Sequence, residues 1–371
     1  MKIRIERDTL AEAVAWTARS LPSRPSLPVL AGVVLTAEDT HVTMSSFDYE
    51  VSARVEIEAV VDAPGKVLVS GRLLSDIARS LPAQPVVIAA EGSRVVITCG
   101  RSTFTLPTLP LDDYPALPAM PESSGSIDAD EFAHAVAQVA IAAGRDDTLP
   151  TLTGIRMEFD GSTITLAATD RYRLAVRELN WKPQSSSIDI ATLVPAKNLA
   201  DTAKSLAAGD SVVIALGPDG ERLIGFEGDG RRTTSRLLDG EFPKYRSLLP
   251  SESSTIADVS TAELIDAVKR VALVAERNTP VRLTFADGEV AMRAGTGDDA
   301  QATEAVAASI EGDDIEIAFN PGYLLDGLAA IDSGTARFSF TQATRPAVIT
   351  GLGEGAADPY RYLLMPVRLT G

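Results

Sequence analysis

Apolar residues recur along this chain with two periods. Three segments carry them at i, i+4 and i+7, the spacing of a helix buried on one side. DTLAEAVAWTARSLP places Leu10, Val14 and Thr17 on one face. DADEFAHAVAQVAIAAGR does the same with Phe132, Val136, Val139 and Ala143, and STAELIDAVKRVALVAER with Leu264, Val268, Val271 and Ala275. Asp8, Asp128 or Asp130, and Ser260 are the expected N-caps, and Asp266 before Lys269 and Arg270 suits an exposed helix face. A second helical signature reads SGRLLSDIARSLP, then VPAKNLADTAKSLAAGD, then FNPGYLLDGLAAIDSG. Each copy places apolar residues before an aspartate, and the starts, near Ser70, Val194 and Phe319, are about 125 residues apart.

Between the helices the period is two. GIRMEFDGSTITLAATD predicts a hairpin with Asp160–Gly161 at its turn, VRLTFADGEVAMRAG one with Asp287–Gly288, and VVLTAEDTHVTMSSFD a third. The first two thirds close alike, on TLPTLPLDDYPALP and TSRLLDGEFPKYRSLLP, and the last on the strand-like YRYLLMPVRL. One unit of helix, antiparallel strands, second helix and further strands is thus used three times, which predicts an α+β fold. Breaks at PAMPESSGS and LLPSESS divide it into domains at 1–122, 126–250 and 254–371.

Composition narrows the chemistry. The 371 residues carry 34 Lys+Arg against 51 Asp+Glu, a net charge of −17, and acidic residues outnumber basic ones in each third. Bulk charge therefore locates no phosphate-binding face. No run approaches the roughly 18 apolar residues of a membrane helix. MKIRIERDTL opens without an apolar signal segment, so a cytoplasmic protein is expected. Cys99, the only cysteine, stands in an alternating run where it packs as a small hydrophobe. His41 and His134 have no ligand-like neighbours, which argues against a zinc site.

Catalytic patterns are missing. There is no Walker A sequence, no G-x-S-x-G elbow and no H-E-x-x-H, and GLGEG at 351–355 reads as a turn. The acidic pairs Asp112–Asp113, Asp146–Asp147, Asp298–Asp299 and Asp313–Asp314 all lie in polar, turn-like contexts. ATDRYRLAV, from Ala168 to Val176, groups Asp170, Arg171, Tyr172 and Arg173 where a strand turns back. It reads as an active site, a docking surface or a hydrogen-bonded bend in which Asp170 accepts from backbone groups two residues on.

The repeats and several motifs together resemble the β subunit of bacterial DNA polymerase III, the replication sliding clamp, most nearly its actinobacterial form. The resemblance runs from Met1 to Leu369. It rests on RPSLPVLAGV, DDTLPTLTGI, ATDRYRLAVREL, LLDGEFPKYRSLLP, VKRVALVAERNTPVRL, FNPGYLLDGL and YLLMPVRL. It implies the DNA clamp fold: three repeated domains per chain, each with two helices packed on antiparallel sheets, in a head-to-tail homodimeric ring around double-stranded DNA. Because enclosure retains such a ring, weak contacts from a few basic residues suffice. The matched DNA-facing positions are Arg24, Arg79, Lys197 and, more loosely, Arg145. Pro150–Thr151 stand where a member of this family carries aromatic residues, so the resemblance does not imply a stacking contribution at that loop.

The resemblance also implies a peptide-binding groove for the clamp-binding motifs of the DNA polymerase III alpha subunit, the clamp loader, other polymerases and repair proteins. Its matched positions are Leu152, Thr169, Arg171, Tyr172, Arg173, Leu174, Pro243 and Leu248. The last third adds Asn320, Tyr323, Thr344, Pro346, Leu363, Leu364, Met365, Pro366, Val367 and Arg368. Thr169, Arg173 and Leu174 are expected to face the ligand, and Asp170 to serve the turn. An apolar slot with orienting arginines suits an extended peptide, and methionine repacks for many clients. No catalytic activity, metal or cofactor is implied. The chain departs from the family pattern in ending on Thr370–Gly371. Three other readings stay open: a duplicate clamp whose altered groove resists a clamp-binding inhibitor, a repeat scaffold that never encircles DNA, and a hydrolase using an acidic pair.

Overall fold

The computed structural model describes residues 1–371 except 219–220, 251, 276–278, 296–299, 354–358 and 369–371. The Asp298–Asp299 pair, the end of GLGEG, the end of the third helical run and the Thr370–Gly371 tail lie outside the described residues. Six α-helices occur where the helical period places them: α1 (Arg7–Ala18), α2 (Gly71–Ser80), α3 (Ala129–Ala140), α4 (Ala196–Leu206), α5 (Thr261–Val271) and α6 (Pro321–Ala329). Leu10, Val14, Thr17, Phe132, Val136, Val139, Leu264, Val268 and Val271 are all buried, so the apolar stripes are the packed faces. Ala143 and Ala275 fall beyond their helices.

Capping differs in detail from expectation. Asp128 accepts from the Glu131 N–H at 2.9 Å and is the cap of α3, whereas Asp130 is already helical. Asp8 lies inside the first turn of α1, where Glu6 holds the cap position without a side-chain bond. Its carboxylate still favours the positive end of the helix. Ser260 holds the cap position of α5 but makes no cap bond.

Every strand pairing between the described strands is antiparallel. The α+β expectation therefore holds. In the last repeat Ala286 faces Glu289, leaving Asp287 and Gly288, at φ +54° and +77°, as the two-residue loop the sequence indicates. In the central repeat Asp160 itself pairs with Thr163, so the loop is Gly161–Ser162, one residue later than expected.

Compactness does not follow the repeats. One unit comprises Met1–Ala133, Trp181–Ser186 and Asn198–Leu237, the other His134–Asn180, Ser187–Lys197 and Leu238–Gly371. The reason is strand pairing. In the first unit a nine-stranded sheet joins Val51–Glu58 of the first repeat to Arg231–Arg236 of the central one, with Ala53 opposite Thr233. In the second unit a twelve-stranded sheet joins Arg173–Asn180 of the central repeat to Tyr360–Leu364 of the last, with Ala175 opposite Tyr362. In each case the last strand of one repeat zips onto a strand of the repeat before it. The corresponding last strand of the first repeat, Ser102–Pro107, has a neighbour on one side only and is the edge of a five-stranded sheet.

In the second unit α6 lies so close to the closing strand that a Cβ on Gly327 would stand 2.3 Å from the Tyr362 ring. In an ordinary helix interior Gly→Ala is favourable by about 1 kcal/mol. Overpacking against a buried aromatic costs about 1–3 kcal/mol, so the sign reverses here. Gly327→Ala is expected to lower the urea midpoint of the second unit, whereas a rise would mean that the helix slides away freely.

Candidate functional site

The strand Thr163–Thr169 ends in the ATDRYR turn, whose geometry its own polar side chains dictate. Asp170 Oδ1 accepts the N–H groups of Tyr172 at 3.0 Å and Arg173 at 3.1 Å. Thr169 Oγ1 donates to the Arg173 carbonyl at 2.7 Å and accepts from the Arg171 N–H at 3.2 Å. Between them Arg171 is held at φ +78°, in the left-handed region, which costs a residue with a Cβ about 1–2 kcal/mol. Asp170 is thus the turn's acceptor, as expected of it, and no acid–base role is needed to explain its place.

Arg173 ties this turn to α6. Its Nε donates to Asp170 Oδ2 at 3.0 Å and its Nη1 to Asp326 Oδ2 at 2.6 Å, while the guanidinium lies 4.3 Å over the Tyr323 ring. Burial works against this cation, but the Asp326 bond, Tyr362 and Asp170 outweigh it, and its pKa is raised. Asn320 caps α6 by accepting from the Tyr323 N–H at 3.1 Å, and Tyr362 donates its hydroxyl to the Tyr323 carbonyl at 2.8 Å. The Tyr172 and Tyr323 rings stack with centroids 6.3 Å apart.

Together these residues wall a groove of about 560 Å³. Its lining includes Leu149, Leu152, Arg171, Tyr172, Arg173, Asn320 and Tyr323. Six of the matched positions therefore meet. Arg145, matched to the DNA-facing set, lines the same groove beside Asp146. The side-chain and backbone bonds from Thr148 hold the Asp146 carboxyl below the usual carboxylate range.

The other matched positions fall in different places. Leu174 and Leu363, opposite each other in register, join Ala167, Val176, Leu193, Phe242 and Tyr245 in an apolar cluster, with Leu238, Leu249 and Val348 packed against it. Leu364 is one residue further along the strand, so its side chain points to the other face, and it is fully buried. Thr169 and Leu174, expected to face a ligand, are 4% and 1% exposed. Leu174 is covered by its apolar cluster, Thr169 Oγ1 is bonded within the turn, and between them Tyr172 is 56% exposed. Leu248 is exposed, and Pro243 lines a separate depression with Arg156 and Glu158.

The C-terminal segment beyond Leu364 leaves the sheet. The Met365 N–H donates to the Tyr172 carbonyl at 2.9 Å and the Val367 N–H to the Ala318 carbonyl at 2.8 Å. Met365 and Val367 are exposed, as is Arg368, with Pro366 half-buried. Thr344 is exposed and Pro346 half-buried, just ahead of the strand Ala347–Gly351. Of the matched basic residues, Arg24, Arg79 and Lys197 are all exposed, and Arg79 pairs with Asp76 at 2.6 Å. Sequence reasoning missed Asp326 as the partner of Arg173. The signal was the aspartate after the paired apolar residues of FNPGYLLDGL, which the helical period carries to the turn-facing side of α6.

The two carboxylates on Arg173 should not matter equally. Asp170 is 13% exposed and holds two backbone N–H groups as well as the cation, whereas Asp326 is 49% exposed. Asp170→Ala is expected to cost about 2–4 kcal/mol by denaturant unfolding, and Asp326→Ala under about 1 kcal/mol. Equal losses would show that the turn, rather than the buried pair, is dispensable.

Three family descriptions match consecutive stretches of the chain. The DNA polymerase III beta subunit N-terminal domain matches residues 1–118, its central domain 126–244 and its C-terminal domain 246–368. The chain is 60% identical to the beta sliding clamp of Streptomyces coelicolor over all of both proteins. It is 49% identical to the beta sliding clamp homolog GriR of Streptomyces muensis over 99% of each; with the 60% identity to the Streptomyces coelicolor clamp, the duplicate-clamp reading is not favoured. The crystal structure of a sliding clamp from Pseudomonas aeruginosa bound to griselimycin superposes with a TM-score of 0.92, at 30% identity and over all of both chains. With domain order, sequence and fold in agreement from end to end, this chain belongs to the DNA polymerase III beta subunit family, the bacterial sliding clamps.

Proposed function

We propose that two copies of this chain close head to tail into a ring that encircles duplex DNA, slides, and tethers client proteins at the template. One observation carries the reading. Twice within the chain the last strand of a repeat pairs with a strand of the preceding repeat, as Thr233 with Ala53 and Tyr362 with Ala175. The third such strand, Ser102–Pro107, keeps an open edge that presents Phe104 at 37% exposure, at the register position of Thr233 and Tyr362. The strand that would receive it by the same rule is Ala302–Gly312, whose first half pairs on one side only, with Glu289–Ala294. Open edges invite pairing. A donor edge at one end of the chain and an acceptor edge at the other make a heterologous contact that closes when the rotation allows. Leu273, 83% exposed just past α5, supplies further apolar surface for that contact.

In this reading the chain consists of three clamp domains, 1–122, 126–250 and 254–371. Arg24, Arg79, Lys197 and Arg145 make transient phosphate contacts, and the ring works inside the cell without chemistry of its own. The groove around Tyr172 and Tyr323, with the apolar cluster of Leu174 and Leu363 and the flanking Leu248 and Met365, takes an extended clamp-binding peptide of a polymerase, a clamp loader or a repair protein. A solved clamp of this fold that holds griselimycin supports a ligand-binding surface of this kind. Tethering raises the effective concentration of the client without any new contact to DNA.

Sedimentation should give a particle of twice 39.1 kDa, retained on nicked circular DNA and released once the circle is cut. Phe104→Arg with Leu273→Arg should give monomers that no longer stay on circles. A wild-type chain that leaves both substrates at equal rates would refute encirclement. Separately, Met365→Ala and Tyr323→Ala should each weaken a fluorescent clamp-binding peptide by roughly 1–3 kcal/mol, five-fold to over a hundred-fold, with the ring intact. Unchanged affinity in both would remove the groove assignment.

A further inference from the structure

The ATDRYR turn has a twin in the first unit. Asp48 Oδ1 accepts the N–H groups of Glu50 at 3.0 Å and Val51 at 2.7 Å, and Tyr49 stands at φ +77°, as Arg171 does at +78°. Both turns lead into the strand that receives the next repeat. Following the two registers outward places Arg236 at the counterpart of Met365, and Glu221, Arg222 and Leu223 at the counterparts of Thr344, Arg345 and Pro346. These residues, with Phe47, Tyr49 and Pro118, line a groove of about 480 Å³.

Its chemistry is different. Where the second unit places the apolar pair Leu174 and Leu363 in its cluster beside the turn, the counterparts here are Ser52 and Thr234, both buried, their hydroxyls 2.6 Å apart. No deep apolar slot can form over a satisfied polar pair. Instead the walls carry the apolar surface. The Phe47 and Tyr49 rings lie 5.6 Å apart, and Tyr49 is 45% exposed. The Tyr114 hydroxyl bonds both the Phe47 N–H, at 2.7 Å, and the Phe47 carbonyl, at 3.3 Å, which fixes that wall. The rim carries two guanidinium groups. Arg236 is exposed and its side chain has no partner among the described residues, and Arg222 beside it donates to the Leu237 carbonyl at 3.3 Å.

We propose that this groove is a second docking site, and that its occupant is an extended segment of a partner protein in which an apolar side chain is flanked by carboxylates. The apolar side chain lies flat between the aromatic pair and Pro118. A carboxylate bridges to Arg236 and Arg222, the fork geometry that guanidinium groups favour. Glu221 and Glu50 stand at the same rim, so a uniformly acidic segment is repelled and the carboxylates must fall on the Arg236 side. The proposal takes from the peptide reading of the first groove only the extended mode of binding. Its ligand class is distinct, because the floor that would accept a buried leucine is missing.

The test uses the full-length ring and a fluorescein-labelled Gly/Ser peptide holding one benzoylphenylalanine between two aspartates. On irradiation it should crosslink at Phe47–Tyr49 or Pro118–Ala119. Arg236→Glu, or lysines in place of the peptide's aspartates, should weaken binding about tenfold or more. Tyr323→Ala in the first groove should leave the crosslink unchanged. An uncharged peptide with Leu and benzoylphenylalanine reports on the first groove in parallel. Crosslinks of the acidic peptide confined to 171–173 or 320–323, no crosslink at all, or indifference to Arg236→Glu would each overturn the proposal. If the uncharged peptide still labels the first groove, this inference fails alone; if neither groove labels with either peptide, the peptide reading of the first groove fails with it.

Discussion

The antiparallel pairing of one repeat's last strand with a strand of the repeat before it is the constraint on which the rest of this structure depends. A lone clamp repeat would leave two open sheet edges, and unpaired backbone groups at an edge favour association. Pairing Tyr360–Leu364 with Arg173–Asn180 satisfies those groups and brings the C-terminal segment beside the ATDRYR turn, so that the Met365 N–H can reach the Tyr172 carbonyl. Without it the groove would have one wall. The same pairing explains why the chain's compact units are cut across its repeats.

On that frame the groove is organised by one buried cation. Arg173 is 5% exposed, and a guanidinium so placed is tolerable only because two carboxylates and a tyrosine face surround it. It fixes α6 to the turn, α6 fixes Tyr323, and Tyr323 meets Tyr172. The strained Arg171 follows from the same economy of parts: Asp170 and Thr169 spend their hydrogen bonds on the backbone around it, and the guanidinium is left to the groove.

The repeated turns show how one scaffold yields two surfaces. Asp48 and Asp170 build nearly the same backbone, with Tyr49 and Arg171 both left-handed, yet the strand pair beside one turn carries Ser52 and Thr234 and that beside the other Leu174 and Leu363. Backbone hydrogen bonding preserves the shape while the inward-facing residues decide whether the floor is polar or apolar. The net charge of −17 sits comfortably with a ring held by enclosure, since sliding requires that no set of phosphate contacts be strong.

The sequence by itself determined the repeat, the helices and the turns, because each is local. Apolar spacing places Leu10, Val14 and Thr17 or Leu264, Val268 and Val271 on a buried stripe, and Asp287–Gly288 is a two-residue hairpin loop. It also identified the ATDRYR turn and Asp170's part in it, since an aspartate two residues before a backbone N–H needs no distant partner. What only the tertiary structure decided is which side of each element those residues meet. Leu363 and Leu364 are adjacent in sequence but point to opposite faces of the strand. Thr169 and Leu174 are buried beside the turn, Leu174 in an apolar cluster drawn from distant strands, and Arg145 lines the groove with Tyr172 and Tyr323. Asp326 finds Arg173 across 153 residues of chain. Such pairings depend on register between distant strands, and register is set by the packing of whole sheets rather than by any local spacing.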